Sequence, residues 1–424
     1  MWIFPRKKYS NLTDFMKILH TSDWHLGKKL DNFSRHQEQI EVLNEICEIA
    51  DYKQVDLILI VGDIFDAYNP PVESVELFYK TIKRLCKNGQ RPVIAIAGNH
   101  DSPDRIEAPD ALALEDAIIL AGNPDCLVRK FKNQAGIELL NTEAGFIELK
   151  LPAFDYPIRM VLNPYANQFR LKKFLGLDNS EEELRQVLEN HWKNLANKYL
   201  DNNGVNVFCG HLFFIEEYGQ IPEEPEDEKP IYLGTAQSIF SRNLPNELQY
   251  AALGHLHRKQ TISKSPCPLI YCGSPIAYSF SEAGQKKTVS IIEITPAQKA
   301  IIEDIELIKG KELIRKKFDN IDLAVEWLTQ NREKLIELTI VSEEYLSAED
   351  RKNLNNSHEN IISIIPELKS LQNQTTENKP VDLTKSMHAL FVDYFKSKQQ
   401  QEPNQEILDI LNEIISQEEV ETGT

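Results

Sequence analysis

Five short clusters of side chains able to bind metal occur in a fixed order along the 424-residue chain: Asp23-Trp24-His25, Gly62-Asp63-Ile64-Phe65-Asp66, Gly98-Asn99-His100-Asp101, Gly210-His211 and Gly254-His255-Leu256-His257. Carboxylate, imidazole and amide donors in one set suit borderline or hard divalent ions such as manganese, iron or zinc, rather than an all-oxygen calcium site. A dinuclear hydrolytic centre needs one carboxylate able to touch two cations, with other donors completing each shell. Asp63, alone behind a glycine, is the natural bridge. Asp23 and His25 stand two apart, so both can face one ion from an extended turn, while His255 and His257 share that spacing and can serve one ion each. Asn99 and His211 fill out the shell of the other ion. His100 lies beside a donor without being needed as one; it is placed to protonate a leaving oxygen or to hold a phosphate oxygen. Asp66, three residues past the bridge, is placed to orient and charge that imidazole. The chemistry implied is in-line attack on phosphorus by a metal-bound hydroxide, with no covalent intermediate.

A single Asp-x-His or Gly-His pair arises by chance in most long chains, so the weight lies in position. Four clusters follow bulky, mostly β-branched runs at 17–21, 57–61, 93–97 and 205–209, and the fifth follows a smaller run at 250–253. Such runs predict buried strands, and ligands of open α/β sheets bind outside the carboxyl ends of strands. Glycines at 62, 98, 210 and 254 are expected to let the backbone turn where side chains converge. Helices are predicted over 37–50, 72–87 and 180–200, the last opened by a capping box of Ser180 and Glu183. Of the basic residues flanking the clusters, Arg105 and Arg258 are the candidates for phosphate contact. His36, His191, His358 and His388 lack comparable context and read as structural or surface residues; His20, inside the first strand, stays open.

Hydrophobic residues make up 42% of the chain and charged residues 26%, values of a soluble globular protein too long for one ordinary core. No apolar stretch approaches the roughly 18 residues that span a bilayer. Residues 1–15 carry Arg6, Lys7 and Lys8 without an apolar segment behind them, and read as an extension before Met16 rather than a secretory signal. Six cysteines with no Cys-x-x-Cys pair suit buried free thiols in a reducing, cytoplasmic compartment, and a Cys267–Cys272 disulfide is not expected. The net charge of −18 is concentrated: residues 216–228 and 402–424 each hold seven acidic and no basic side chains, and without those fourteen the rest carries −4. The acidity does not exclude nucleic acid, but binding cannot come from a uniformly basic surface.

The chain divides by pattern into a 1–15 extension, a main domain at 16–295, a small α+β unit at 296–371, a polar linker at 372–383 and amphipathic helices within 384–424. The last of these carries Ile407, Leu408, Ile410, Leu411, Ile414 and Ile415 at helical spacing, a stripe that packs either on its own domain or on a partner.

Taken together, the clusters resemble the calcineurin-like metallophosphoesterase superfamily, and their detailed form resembles its SbcD branch of nuclease subunits. The stretches that carry this are 17–27, 62–66, 97–102, 252–258 and 273–282, the last (Gly-Ser-Pro-Ile-Ala-Tyr-Ser-Phe-Ser-Glu) pointing to that branch because it holds no superfamily ligand motif. The resemblance implies an α/β fold, a four-layer α/β/β/α metallophosphoesterase sandwich with a small α+β capping domain and a C-terminal helical pair. It implies two divalent ions, manganese favoured: one on Asp23, His25, Asp63 and His257, the other on Asp63, Asn99, His211 and His255. It further implies His100 as the catalytic histidine with Asp66 beside it, DNA as substrate, and an SbcC-type ATPase gripped by the C-terminal helices. Homodimerisation within a heterotetramer, through residues 72–87 and 103–116, is expected too. The function so implied is a DNA exonuclease and hairpin endonuclease of repair and recombination. The competing readings are a small-molecule phosphodiesterase or nucleotide pyrophosphatase on the same core, and a non-catalytic scaffold.

Overall fold

The computed structural model describes residues 15–165, 181–217, 239–344 and 346–368, with isolated positions besides. The residues before 15, most of the acidic 216–228 loop, Ser180, His388, the linker and nearly all of 384–424 lie outside the described residues.

The apolar runs form strands that are buried on both faces, which is why they read as unbroken rather than alternating. Met16–Thr21, Leu57–Val61, Val93–Ile96 and Ile118–Ala121 lie side by side and parallel, and Thr288–Ile294 and Ile301–Glu306 continue the six-stranded sheet antiparallel beyond Met16–Thr21. A seven-stranded sheet runs in the order Gln260–Ser263, Leu269–Tyr271, Tyr250–Gly254, Val205–His211, Ile158–Asn163, Phe146–Lys150 and Glu138–Glu143. Its members from Leu269–Tyr271 to Ile158–Asn163 are parallel.

Because side chains alternate along a strand, each strand serves two cores. Ile18, Leu59 and Val61 of the first sheet meet Met160, Val207 and Ala252 of the second in a core between the sheets. Leu19, Ile58 and Ile60 face outward onto Val42 and Ile46 of the helix His36–Tyr52 and Phe78 and Ile82 of the helix Val72–Leu85. On the opposite side Val161, Phe208 and Leu253 pack on Leu188, Trp192 and Leu195 of the helix Glu181–Tyr199. The stack is helix, sheet, sheet, helix.

Beyond the sandwich, Leu313–Phe318, Leu335–Ser342 and Ile361–Leu368 form a three-stranded sheet with the helices Ile321–Gln330 and Ala348–Ser357, the first capped by Asn320 and the second by Ser347 and Asp350. This corrects the expected boundary at 296. Ile301–Glu306 is the edge strand of the first sheet, paired from Thr288↔Glu306 to Glu293↔Ile301, and the small unit begins only after it. The apolar pattern identifies that strand correctly but not its partner, because a strand's pairing depends on a turn and a neighbour that its own residues do not encode. The connection is anchored: Glu45 accepts the amides of Ile308 and Lys309, and Glu38 that of Lys311. Leu313 and Leu335 then dock on Leu30, Ala277 and Phe280. Residues through Glu367 form one compact unit.

His20 has a structural place. It is buried between the sheets with Nδ1 2.9 Å from the Tyr250 hydroxyl, and burial, with the charge of Lys259 adding, pushes its pKa down to about 3. His358 likewise binds the Asn331 carbonyl and accepts the Asn360 amide. All six cysteines are free, and among the described residues no helix is long and apolar enough to cross a membrane.

Tyr250→Phe would remove the hydroxyl partner of His20 Nδ1, and an unmet buried polar atom costs about 1–3 kcal/mol. Denaturant unfolding of that variant is expected to show a loss of this size, and an unchanged midpoint would refute the bridging role of the pair.

Candidate metal centre

Each cluster divides its residues between anchoring and chemistry. Trp24 is fully buried, donates its indole N–H to Thr21 Oγ1 at 2.9 Å and packs edge-on against Phe78. Ile64 and Phe65 enter the same helix-side core, and Leu256 enters the core on the other side. With these apolar residues turned outward, Asp23, His25, Asp63, His255 and His257 are left to meet one another. The first two loops are zipped together by the amides of Asp23, His25 and Leu26, which donate to the carbonyls of Gly62, Asp63 and Ile64 at 2.9–3.0 Å.

Convergence strains the backbone. Asp23 (φ 53°), His25 (φ 40°), Asp63 (φ 46°) and His255 (φ 118°) all have positive φ, a region non-glycine residues enter rarely and at about 1–3 kcal/mol each. Of the glycines read as turn formers, Gly62 is one, with φ 78°. Gly254 is needed for space instead, because a Cβ there would sit 1.7 Å from the Val61 carbonyl oxygen.

Acceptor atoms gather around Asp63. Its Oδ1 accepts the His100 amide at 2.9 Å, whereas Oδ2 is buried with no hydrogen-bond donor and lies 3.3 Å from His211 Nε2 and 3.6 Å from His25 Nε2. His211 Nδ1 is 3.0 Å from the Val61 carbonyl, which can only accept, so Nδ1 carries a proton and in the neutral ring Nε2 carries the lone pair. That Nε2 also lies 3.0 Å from Asn99 Oδ1. On the other side His257 Nε2 is 2.9 Å from His25 Nε2, and Asp23 Oδ1 accepts the His255 amide at 2.8 Å. Three donor groups emerge, each with ligand atoms within 4.8 Å of one another: Asp23, His25 and His257; His25, Asp63 and His100; and Asp63, His211 and His255. Buried nitrogen and oxygen donors converging on one corner are what a cation would bind, and a carboxylate common to two groups is what a dinuclear site requires. The residues fit a pair of divalent ions.

Electrostatics point the same way. Burial pushes Asp23 up to about 7 against the pull of His211 and His257. Burial also works to raise Asp63, but the imidazoles of His211 and His25 hold it well below the usual carboxylate range. Burial works to lower His211, yet Asp63 holds it up to about 9. In the metal-free protein, protons therefore sit where cations would.

The remaining expected residues behave differently. Asp66 does meet His100, but through its main-chain carbonyl, 2.7 Å from Nδ1; its carboxylate leans toward His25 Nδ1 (3.5 Å) and Lys28 (3.7 Å). The position of Asp66, three residues past Asp63, points to a partner for His100 but does not say which oxygen makes the contact. Arg105 is exposed and donates to Asn69, and Arg258 is exposed at the end of the fifth cluster.

Three further residues do work that their local sequence does not announce. Asp101, fully buried, accepts the amides of Gly98, Ile64 and Phe65 and so clamps the second and third loops. Tyr278 stands edge-on to His25 and His257, with its hydroxyl donating to the Trp24 carbonyl and receiving Gln39, which also donates to the His25 carbonyl. Glu282 meets His257 Nδ1 at 3.3 Å. Burial works to raise its pKa, but the charge of Lys287 ahead of that of His257 holds it down to about 2. Tyr278 and Glu282 lie in the 273–282 stretch, whose composition was distinctive without revealing a task.

Comparison with known proteins gives a consistent picture. A family model described as calcineurin-like phosphoesterase matches residues 16–258. The SbcD subunit of the nuclease SbcCD in Bacillus subtilis is 33% identical over 409 residues, covering 95% of this chain and 98% of its own. Its counterpart in Escherichia coli K12 is 27% identical over 352 residues, covering 80% of this chain and 81% of its own.

Cation binding must displace the protons on Asp23 and His211, so affinity for Mn2+ is expected to tighten as pH rises from about 6 to about 9, with proton release. Calorimetric titrations in two buffers of different ionisation enthalpy measure this directly; binding without proton release would contradict it. Gly254→Ala would drive a methyl group into the Val61 carbonyl, and metal content after dialysis is expected to fall to background even where the variant folds.

Proposed function

The chain belongs to the calcineurin-like phosphoesterases and, within them, to the SbcD subunits of SbcCD nucleases, and from that footing we propose that it hydrolyses DNA phosphodiesters at the Asp63 centre under the control of an SbcC-type ATPase. The observation that carries the nuclease reading is extent. The likeness runs nearly the full length of both chains, through the small unit at 313–368 and into the C-terminal residues, which simple phosphoester hydrolysis does not need. A small-molecule phosphodiesterase would have no use for them.

Asp23, His25, Asp63 and His257 would hold one cation, and Asp63, Asn99, His211 and His255 the other, manganese being our choice for this mixed donor set. Bound there, two such ions polarise the phosphoryl group and supply a nucleophilic water at neutral pH. The rest falls to the protein. His100, half-buried beside His25 with ring centroids 4.8 Å apart, donates its Nδ1–H to the Asp66 carbonyl at 2.7 Å. As the imidazolium, with a second proton on its other nitrogen, it would hold a non-bridging oxygen or deliver that proton to the departing sugar oxygen. Asp66 fixes the ring by its carbonyl and adds negative charge nearby through its carboxylate. Arg105 and Arg258 are assigned to backbone phosphates flanking the scissile bond, as positioning rather than sequence-reading contacts.

In this reading the residues from 384 on bind the ATPase, and two copies associate through the 72–87 and 103–116 segments, where Val72 and Leu112 are exposed apolar residues. The six free thiols suit a cytoplasmic protein.

The decisive experiment is cleavage of a hairpin-ended duplex with Mn2+, adding the purified ATPase and ATP in turn, alongside a small aryl phosphodiester. Turnover of the small diester with no cut in DNA under any combination would sink the nuclease reading. His100→Ala is expected to lower DNA cleavage by about 10²- to 10⁴-fold while leaving metal content near wild type.

A further inference from the structure

Beside the donor cluster lies a buried ion pair that the hydrolytic chemistry does not use. The side chains of Glu282 and Lys287 are 1% and 8% exposed. Glu282 Oε1 lies 3.3 Å from His257 Nδ1 and accepts the Tyr278 amide at 3.1 Å, while Oε2 accepts Lys287 Nζ. Lys287 Nζ also donates to the His257 main-chain carbonyl at 3.0 Å and to Ser274 Oγ at 3.0 Å. The Ser274 amide reaches the same carbonyl at 3.1 Å. The pair thus grips one residue twice, at its ring and at its backbone.

Stability alone is a weak reason to keep such a pair, since apolar residues of similar volume often serve a core as well or better. Its geometry suggests another reason. We infer that Glu282, supported by Lys287, is a positioning residue that sets the tautomer and aim of His257 for cation binding, an inference that rests on the dinuclear reading above. A carboxylate at Nδ1 fixes the proton there, so the lone pair lies on Nε2, the atom that faces His25. Such a carboxylate also makes the ligating nitrogen more basic. Lys287 balances the charge of the carboxylate, and its bond to the His257 carbonyl resists rotation of the residue as a whole.

The test uses the full chain and Mn2+ alone as ligand, with two-site binding isotherms, thermal unfolding in chelator and imidazole ¹⁵N shifts. Glu282→Gln is expected to weaken one of the two Mn2+ sites by about 10- to 100-fold, to leave the other unmoved, and to erase the preference of His257 for the Nδ1–H tautomer. Glu282→Asp is expected to recover part of the loss. If the single variant folds poorly, Glu282→Gln with Lys287→Met removes both charges together, leaves no buried ammonium unpaired, and should show the same one-site defect. Wild-type affinity at both sites in these variants would overturn the positioning role, as would equal weakening of both sites in step with lost metal-free stability. Wild-type protein that binds no Mn2+ would overturn the dinuclear reading itself, a distinct result.

Discussion

The site depends on one hydrogen bond that crosses between the sheets, from His211 Nδ1 to the carbonyl of Val61. It joins the last residue of a strand in the seven-stranded sheet to the last residue of a strand in the six-stranded sheet. The bond does two jobs at once. It fixes the ring proton on Nδ1, so that Nε2 is left for Asp63 and Asn99, and it requires the carboxyl ends of the two sheets to touch. Gly254 permits that approach, since any side chain there would occupy the carbonyl's own volume. Elsewhere Met160, Val207 and Leu162 hold the sheets apart with bulk; at this corner, where the smallest residue stands, they close.

From that contact the chemistry follows by simple alternation. Trp24, Ile64, Phe65 and Leu256 are pulled into cores by burial of apolar surface, at about 1.5–3 kcal/mol for each large side chain. The neighbouring aspartates and histidines have nowhere to go but the shared corner. The positive φ of Asp23, His25, Asp63 and His255 is the strain this imposes. The surrounding bonds hold it in place, above all the three backbone amides gathered by Asp101 and the zipper between the first two loops.

The support of the corner is layered through the start of the helix His36–Tyr52. Gln39 binds the His25 carbonyl and the Tyr278 hydroxyl, and Arg35 binds Glu38 in two bonds and the Ala277 carbonyl in a third. Glu38 also receives the amide of Lys311, at the entry to the small unit. A single helical turn therefore touches the donor loop, the Tyr278 loop and the connection to the small unit, which makes it the place where any displacement of that unit would be felt by the donors.

Much of this was legible in the residues themselves. The five clusters, the strands before them and the main helices are local signals: short apolar runs, glycine and capping residues, and donors next to them, each readable from neighbours in sequence. Asp63 as a carboxylate placed to be shared follows from its position behind Gly62, and two of the three donor groups include it. What the sequence could not settle depends on contacts between distant residues. That Ile301–Glu306 belongs to the first sheet needs the register against Thr288–Ile294. That Asp66 meets His100 by its carbonyl, and that Glu282 rather than any cluster residue meets His257 Nδ1, needs the approach of loops 34 and 25 residues apart. Residue types and spacing determined which atoms could bind and react; tertiary packing alone decided which of them face one another, because side-chain direction at a crowded corner is set by neighbours the chain brings in from elsewhere.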